Sequence, residues 1–322
     1  MTGLRNRRPQ RPESKPWLAA LLVITVATGC GGGDGIADGG TGGTGITAGV
    51  VTERASIQIN EQTLSTEDAE VIVDGDDSAT MDDIREGHVV RVEVDFDRMT
   101  ALTVERDTAI RGPVQGPLDD RGDTQTLRIF GEEITIDDRT VVAVDGESLS
   151  PGDRVAVSAF HGSDGELIAR RIEEAPPGPG LRTGPVRQRG ATGEGRFRIG
   201  SLTVDYAGEV PSDEVDDALA ENDFVRITGQ ERAGQPGHFD AQALERIVRI
   251  GGEPGDTVVL EGLLTVPGVM GEARLRGAVI EFDDAEFVGG DHNDLDDNRR
   301  VRVRGTLLED RRIEAERIEI QP

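Results

Sequence analysis

Four histidines and one acidic stretch are the groups in this sequence whose chemistry could bind a metal or move a proton. His88, His161, His238 and His292 are scattered, and no two stand four apart or at the short loop spacing that a metal site requires. They read as structural or solvated side chains. The stretch Asp291-His292-Asn293-Asp294-Leu295-Asp296-Asp297-Asn298 is rich in the oxygens that Ca²⁺ prefers. Begun at Asp291, an EF-hand register places Leu295 where an oxygen must stand. Begun at Asp294, it places Arg299 where the turn needs Gly and Gly305 where the last carboxylate belongs. It reads as a solvated loop. Paired carboxylates of the glycosidase kind arise by chance among 62 acids, and the aromatics that line sugar subsites are only 3% of the chain. No Gly-x-Ser-x-Gly turn supports a Ser-His-Asp arrangement. Arg121-Gly122-Asp123 spells an adhesion tripeptide, but Asp119-Asp120 before it and the Asp and Gly turn chemistry predict a hairpin tip. The chain is therefore read as no enzyme, with no catalytic residue, no cofactor and no metal ligand assigned.

The elements that would carry any site are set by a repeat. Ala-x-x-(Val/Ile/Leu)-Glu occurs at residues 101–105, 169–173, 241–245 and 315–319, at spacings of 68, 72 and 74 residues. Before each copy stands an alternating Val or Ile run, starting at Val89, Val155, Val225 and Val301. Alternation of period two marks half-buried strands, and a repeat near 70 residues suits a small barrel better than a solenoid unit. The reading is all-β, with four tandem small antiparallel OB-like barrel modules after a signal peptide and flexible linker. The modules span 46–106, 107–178, 179–250 and 251–322. Module one predicts five strands, and a Pro-rich joint at 175–180 parts modules two and three. Residues 212–221 form the one stretch with helical potential. Within the repeated signature, Ala and the apolar residue three later would face opposite sides of a regular strand, so a bulge is expected there.

Residues 1–29 have a different character. Arg5, Arg7, Arg8, Arg11 and Lys15 make a basic leader, residues 18–26 are apolar, and Ala27-Thr28-Gly29-Cys30 follows. That order is a secretory signal, with an apolar run too short to span a bilayer of about 30 Å. A Cys directly after small residues resembles a bacterial lipoprotein signal, which implies cleavage before Cys30 and lipidation of its thiol. Cys30 is the single cysteine, so no intrachain disulfide and no Cys-based zinc site exist. Residues 30–45, rich in Gly, read as a tether. Gly31 rather than Asp after Cys30 resembles lipoproteins sorted to the outer membrane.

Charge narrows the partners. There are 35 basic residues against 62 acidic ones, a formal net charge of −27 at pH 7. A polyanion with few aromatics lacks both the cations and the stacking platforms that nucleic acid needs, so no nucleic-acid partner is expected.

Ser56-Ile57-Gln58-Ile59-Asn60, Val73-Asp74-Gly75, Ile84-Arg85-Glu86-Gly87 and Val89-Val90-Arg91-Val92 together resemble a bacterial family. It is the domain-of-unknown-function family numbered fifty-six sixty-six, found as tandem copies in secreted proteins and lipoproteins. The resemblance is closest in modules one and two and extends over most of residues 46–322. It implies an OB-like barrel and an exported location, and no activity. The expectation is an uncharacterised cell-envelope lipoprotein, held to the membrane through Cys30 and working as a non-catalytic scaffold or binding module for another envelope protein or polymer. The alternative is an acidic, salt-adapted or divalent-cation-binding surface protein.

Overall fold

Alternating Val and Ile residues bury one face of each strand, and the strands fall into four runs that repeat one pairing order. A computed structural model describes residues 43–53, 56–144, 149–190, 195–206, 219–266 and 273–321. The chain divides into two units, Met1–Gly40 and Thr41–Pro322, and every described residue lies in the second. The leader, Cys30 and the tether up to residue 42 fall outside the described residues, as do residues 212–218 of the helical candidate. Residues 219–221 are not helical.

The first run holds β1 (Thr44–Glu53), β2 (Ile57–Ile59), β3 (Gln62–Leu64), β4 (Glu70–Val73), β5 (Val89–Asp95) and β6 (Thr100–Arg106). The second holds β7 (Ile110–Pro113), β8 (Asp119–Asp120), β9 (Gln125–Ile129), β10 (Glu132–Ile136), β11 (Val141–Ala143), β12 (Arg154–His161) and β13 (Leu167–Glu174). The third holds β14 (Gly180–Pro185), β15 (Arg196–Ile199), β16 (Leu202–Asp205), β17 (Phe224–Glu231) and β18 (His238–Arg246). The fourth holds β19 (Thr257–Thr265), β20 (Ala273–Leu275), β21 (Ala278–Glu281), β22 (Glu286–Val288), β23 (Arg300–Leu307) and β24 (Arg312–Ile320).

Pairing in the fourth run closes on itself. β19 pairs with β20, β20 with β21, β21 with β24, β24 with β23, and β23 with β19. All of these are antiparallel except β21 with β24. The other runs follow the same order. In the first, the parallel contact is the bridge Ser65↔Thr100; in the third, Arg187↔Arg198 joins the opening strand's end to β15. In the second, Gln115 N donates to Arg128 O at 2.8 Å where β7 passes β9. Purely antiparallel modules were expected, and the sheets are instead mixed. The reason is geometric: alternating directions close only around an even number of strands, so a ring of five forces one parallel contact. Five strands also proved too few for the first run, because the short β3 completes a hairpin with β2 and β4 adds a second parallel contact to β6.

The expected bulge is present four times. Val94 faces Ala101 and Glu93 faces Thr103, which leaves Leu102 unpaired. The same slip falls at Ser158/Ala159, Thr228/Gly229 and Arg304/Gly305. The extra residue turns the strand by one position, so Ala101 and Val104 both point inward, as do Ala169 with Ile172 and Ala315 with Ile318. At Gly305 an added Cβ would stand 2.1 Å from Glu314 O. A small residue is therefore required inside the bend. Ala169→Leu should cost about 1–3 kcal/mol by overpacking, while Leu102→Ala on the outer side should stay within about 0.5 kcal/mol. Urea melts of both variants would test this, and equal costs would refute the packing account.

Runs adjacent in sequence do not all pair. β1 lies parallel to β19, with Gly45↔Thr257 to Ala48↔Leu260 in register, so the first and fourth runs form one 12-stranded sheet. β7 pairs with β14, and the second and third runs form the other. One continuous core fills the second and third runs, from Ile110 and Leu127 to Phe197 and Phe239. The core of the fourth takes in Ile46 and Ala48 from β1. Thr44 and Gly45, expected in the tether, are strand residues. Gly45 is needed for contact rather than slack, because a Cβ there would lie 2.2 Å from Thr257 O.

Candidate functional site

The repeated Glu stands opposite an arginine on the preceding long strand. Arg91 faces Glu105, Arg226 faces Glu245 and Arg302 faces Glu319, each as a cross-strand ion pair. Opposite charges in register support pairing. The arginines also reach beyond their own run: Arg226 Nη1 donates to Asp107 Oδ1 at 2.8 Å, and Arg302 Nη1 lies 3.0 Å from Glu61 Oε1.

The second run breaks the rule. Ala156 stands opposite Glu173, and the freed carboxylate turns to the first run instead. His88, 1% exposed, accepts from Arg85 N at Nδ1 (2.9 Å), which leaves the proton on Nε2 to donate to Glu173 Oε1 at 3.0 Å. Arg106 Nη1 donates to the same oxygen at 3.0 Å, Arg171 Nε to Oε2 at 2.8 Å, and Arg171 Nη1 to Glu86 O at 3.0 Å. Burial pushes the His88 imidazole below its ordinary value. Burial would raise the Glu173 carboxyl, but the hydrogen bond from His88 and the adjacent Arg171 and Arg106 outweigh it and hold the group well below the usual carboxylate range. With His88 neutral, the two arginines supply the charge. Val89 N donating to Ser158 Oγ at 2.8 Å closes the same seam.

A second polar knot lies between β10 and β14. Arg182 is fully buried and pairs through Nε with Glu132 Oε2. Its other nitrogens donate to Thr183 O, to Ala109 O at 3.4 Å and to Gly165 O at 2.9 Å. Glu132 Oε1 accepts from Ser201 N at 2.7 Å, Ser201 Oγ at 3.1 Å and Leu202 N at 3.1 Å. A buried pair is tolerated only when its remaining donors and acceptors are met, as they are here.

All four runs meet at one junction. Val89, Phe160 and Leu263 form a small apolar contact there. Beside it lies a cavity of about 40 Å³ lined by Arg91, Asp107, His161, Phe224, Arg249 and Arg276. His161 Nε2 is 2.8 Å from Thr183 O, so it donates, and its ring meets Phe224 edge-on at 4.9 Å. Burial pushes the His161 imidazole well below its usual value, so it is neutral at pH 7. Burial and the neighbouring Glu105 raise the Asp107 carboxyl to about 6 against the pull of Arg226. Five of the same residues wall a larger outer cleft of about 570 Å³.

The residues singled out from the sequence are not brought together. His88 and His161 sit in separate contacts between runs, His238 begins β18, and His292 lies in an exposed turn. Among the described residues no three His, Cys, Asp or Glu form a metal-holding group. In the acidic loop, Asp291 Oδ1 accepts from Asn293 N at 2.7 Å and Asp294 Oδ2 from Asp291 N at 2.8 Å. Asp297 Oδ2 accepts from Ser163 Oγ at 2.7 Å and Oδ1 from Val266 N at 3.0 Å. Those carboxylates cap a turn and dock the loop on the second run. Arg121-Gly122-Asp123 does form a hairpin tip, with Arg121 N donating to Thr124 O at 2.9 Å. The sequence marks Asn60 as a turn residue, but not the contacts that the hairpin tips Asn60, Phe130, Gly200 and Arg276, each at φ between 51° and 56°, make with other runs. Phe130-Gly131 and Arg276-Gly277 carry a turn signal in the Gly that follows.

The pairing order, the bulges and the cross-strand Arg and Glu define an all-β protein of tandem repeats. Residues 111–173 and 264–319 match the family described as "Domain of unknown function (DUF5666)", two separate regions that are consistent with tandem copies of that domain. The matches fall on the second and fourth runs, whereas the sequence resemblance was closest in the first and second. No curated protein matches the chain. Among solved structures, "drosophila Unr CSD456" is 16% identical, with 67% of this chain and 98% of that one covered and a TM-score of 0.17. A multidomain protein from Streptococcus pneumoniae, described as having nucleic acid binding domains, is 10% identical over 66% of this chain and 72% of its own, also at a TM-score of 0.17. Scores that low carry no argument about this chain's fold or partners.

Proposed function

We propose that this protein is a non-catalytic cell-envelope lipoprotein in which four OB-like barrels, one per run of strands, form a rigid binding scaffold anchored through Cys30 at the outer membrane. The observation that supports it most is the joining of runs into two continuous sheets, β1 of the first run on β19 of the fourth and β7 of the second on β14 of the third. Contacts between runs are further stapled by His88–Glu173, Arg226–Asp107 and Arg302–Glu61. Such a frame holds its loops in fixed relation, which suits a display surface better than a set of independent beads. The closed pairing order supports the barrel reading, because closure leaves no free sheet edge. The basic leader, the apolar run and Cys30 support the anchor.

Cys30→Ser should move the protein from the membrane fraction to the soluble fraction of the cell, and the mature wild-type N-terminus should carry the mass of a lipid. A Ser variant that still sediments with membranes would refute the anchor. Cross-linking in intact cells followed by mass spectrometry should recover a defined envelope protein or polymer. Recovery of cytosolic proteins alone would overturn the envelope reading.

A further inference from the structure

The outer cleft joins the second, third and fourth runs and takes walls from His161, Ser163, Arg187, Phe224, Arg249 and Arg276. In so acidic a chain, arginines at the seams normally meet carboxylates. Among the described residues, two of these do not. Arg249 stacks its guanidinium 4.1 Å from the centre of the Phe224 ring and makes no ion pair or hydrogen bond with any described residue. Arg276 Nε is buried without a hydrogen-bond partner.

The acids that could have answered them are engaged elsewhere. Asp107, on the inner side, is paired with Arg226 at 2.8 Å. Both oxygens of Asp297 are taken by Ser163 and Val266. Asp164 is exposed on the rim. Of the other cleft arginines, Arg187 donates to Ser163 O at 2.9 Å, and Arg274 has a partner of its own.

Burial depresses both guanidiniums, Arg276 to about 10 and Arg249 well below its usual value; Arg91 adds to the depression of Arg276 and Arg276 to that of Arg249, against the pull of Asp107 on both. Arginine remains protonated at neutral pH nonetheless. The depression therefore registers burial first, and a like charge beside each group second. Backbone geometry adds a cost, since Arg276 takes φ 51° at the first position of a two-residue hairpin turn before Gly277, where Asn or Gly would sit with less strain.

We propose that this cleft binds a small oxyanion, a phosphate or carboxylate group, between Arg249 and Arg276. Guanidinium forks recognise such groups in a bidentate way. The volume of about 570 Å³ suits a small molecule, and Phe224 and Leu263 offer it an apolar wall. The chain's negative field disfavours large polyanions and leaves the small, partly enclosed anion as the ligand class. The inference deepens the binding-scaffold reading, yet membrane fractionation and in-cell cross-linking do not depend on this cleft, so the two can fail separately.

The test is calorimetric titration of the mature full chain with inorganic phosphate and, in a second arm, with succinate, at constant ionic strength set by chloride. Saturable binding in one arm alone identifies the source of the oxyanion. Arg276→Gln and Arg249→Gln should each weaken binding about tenfold or more, with Arg276→Lys between wild type and Gln, because one of two charge-assisted forks is lost. Arg121→Gln, at the remote hairpin tip, should bind as wild type does. The ligand-free Arg276→Gln protein should melt no lower than wild type, since it loses an unmatched charge. Absence of saturable binding in both arms, or affinity unchanged in both Gln variants, would overturn the proposal. So would a ligand-free Arg276→Gln protein that melts lower, because the arginine would then be serving the fold.

Discussion

Arg182→Met should lower stability by about 3–5 kcal/mol, the largest single-residue effect expected in this chain. Arg182 is 0% exposed, and its loss leaves the Glu132 carboxylate, 4% exposed, without a cation in a dry interior. Glu132 keeps three donors from Ser201 and Leu202, but these are neutral dipoles and cannot replace a guanidinium. Gly165 O and Thr183 O lose their donors at the same time. Pairing the change with Glu132→Gln should recover part of the loss, because the side-chain carbonyl of Gln can still accept from Ser201 and Leu202 while the buried charge is gone. Denaturant melts of the single and double variants measure the coupling. A single variant within about 1 kcal/mol of wild type would mean that water reaches the site and that the knot is not buried in solution.

Glu173→Gln should cost about 2–3 kcal/mol at pH 7, below the range for a fully buried pair because 22% of the Glu173 side chain is exposed. It also carries a pH signature. The folded-state carboxyl of Glu173 lies below its ordinary value of 4.5, so its contribution is fully present above that pH and is lost as pH falls through the folded value. His88, lowered from 6.5, resists protonation when folded, so acid below that value also favours unfolding. Asp107, raised from 3.8 to about 6, acts in the opposite direction: its folded state holds a proton more firmly, and stability declines as pH rises through that window. Subtracting variant from wild type removes the Asp107 contribution, which is common to both. The gap should be widest near pH 7 and narrow as pH drops below 4.5. A gap that stays constant into strong acid would show that Glu173 contributes by shape and not by charge.

Much of the local structure was legible in the sequence because it depends on near neighbours. Period-two alternation marked the long strands, and the forced inward orientation of both Ala and the apolar residue in Ala-x-x-(Val/Ile/Leu)-Glu required a bulge, which is found at all four copies. The role of the repeated Glu was not legible, since it depends on register. Only when β12 is laid against β13 does Ala156 face Glu173 and release that carboxylate to His88. The short β3 was missed for a related reason: a strand of three residues carries too few alternations to stand out, and it forms because a ring around it is closing.

What the sequence determined by itself is the strand content, the fourfold repeat, the bulge and the strongly negative surface, all consequences of side-chain size, period and charge that act over a few residues. The tertiary structure alone decided which runs lie together. β1 joins β19 across more than two hundred residues, and no local pattern marks that pairing. It also decided that Asn60, Phe130, Gly200 and Arg276, equivalent hairpin tips in four runs, would do four different things. Asn60 donates to Thr47, Ala48 and Val259, Phe130 meets Phe239 edge to face at 5.2 Å, Gly200 lets Gly165 approach, and Arg276 lines the cleft with its buried Nε unpartnered among the described residues. The physical reason is that a repeat encodes one unit's pairing in its own residues, whereas the surroundings of each tip are supplied by whichever other unit packs against it.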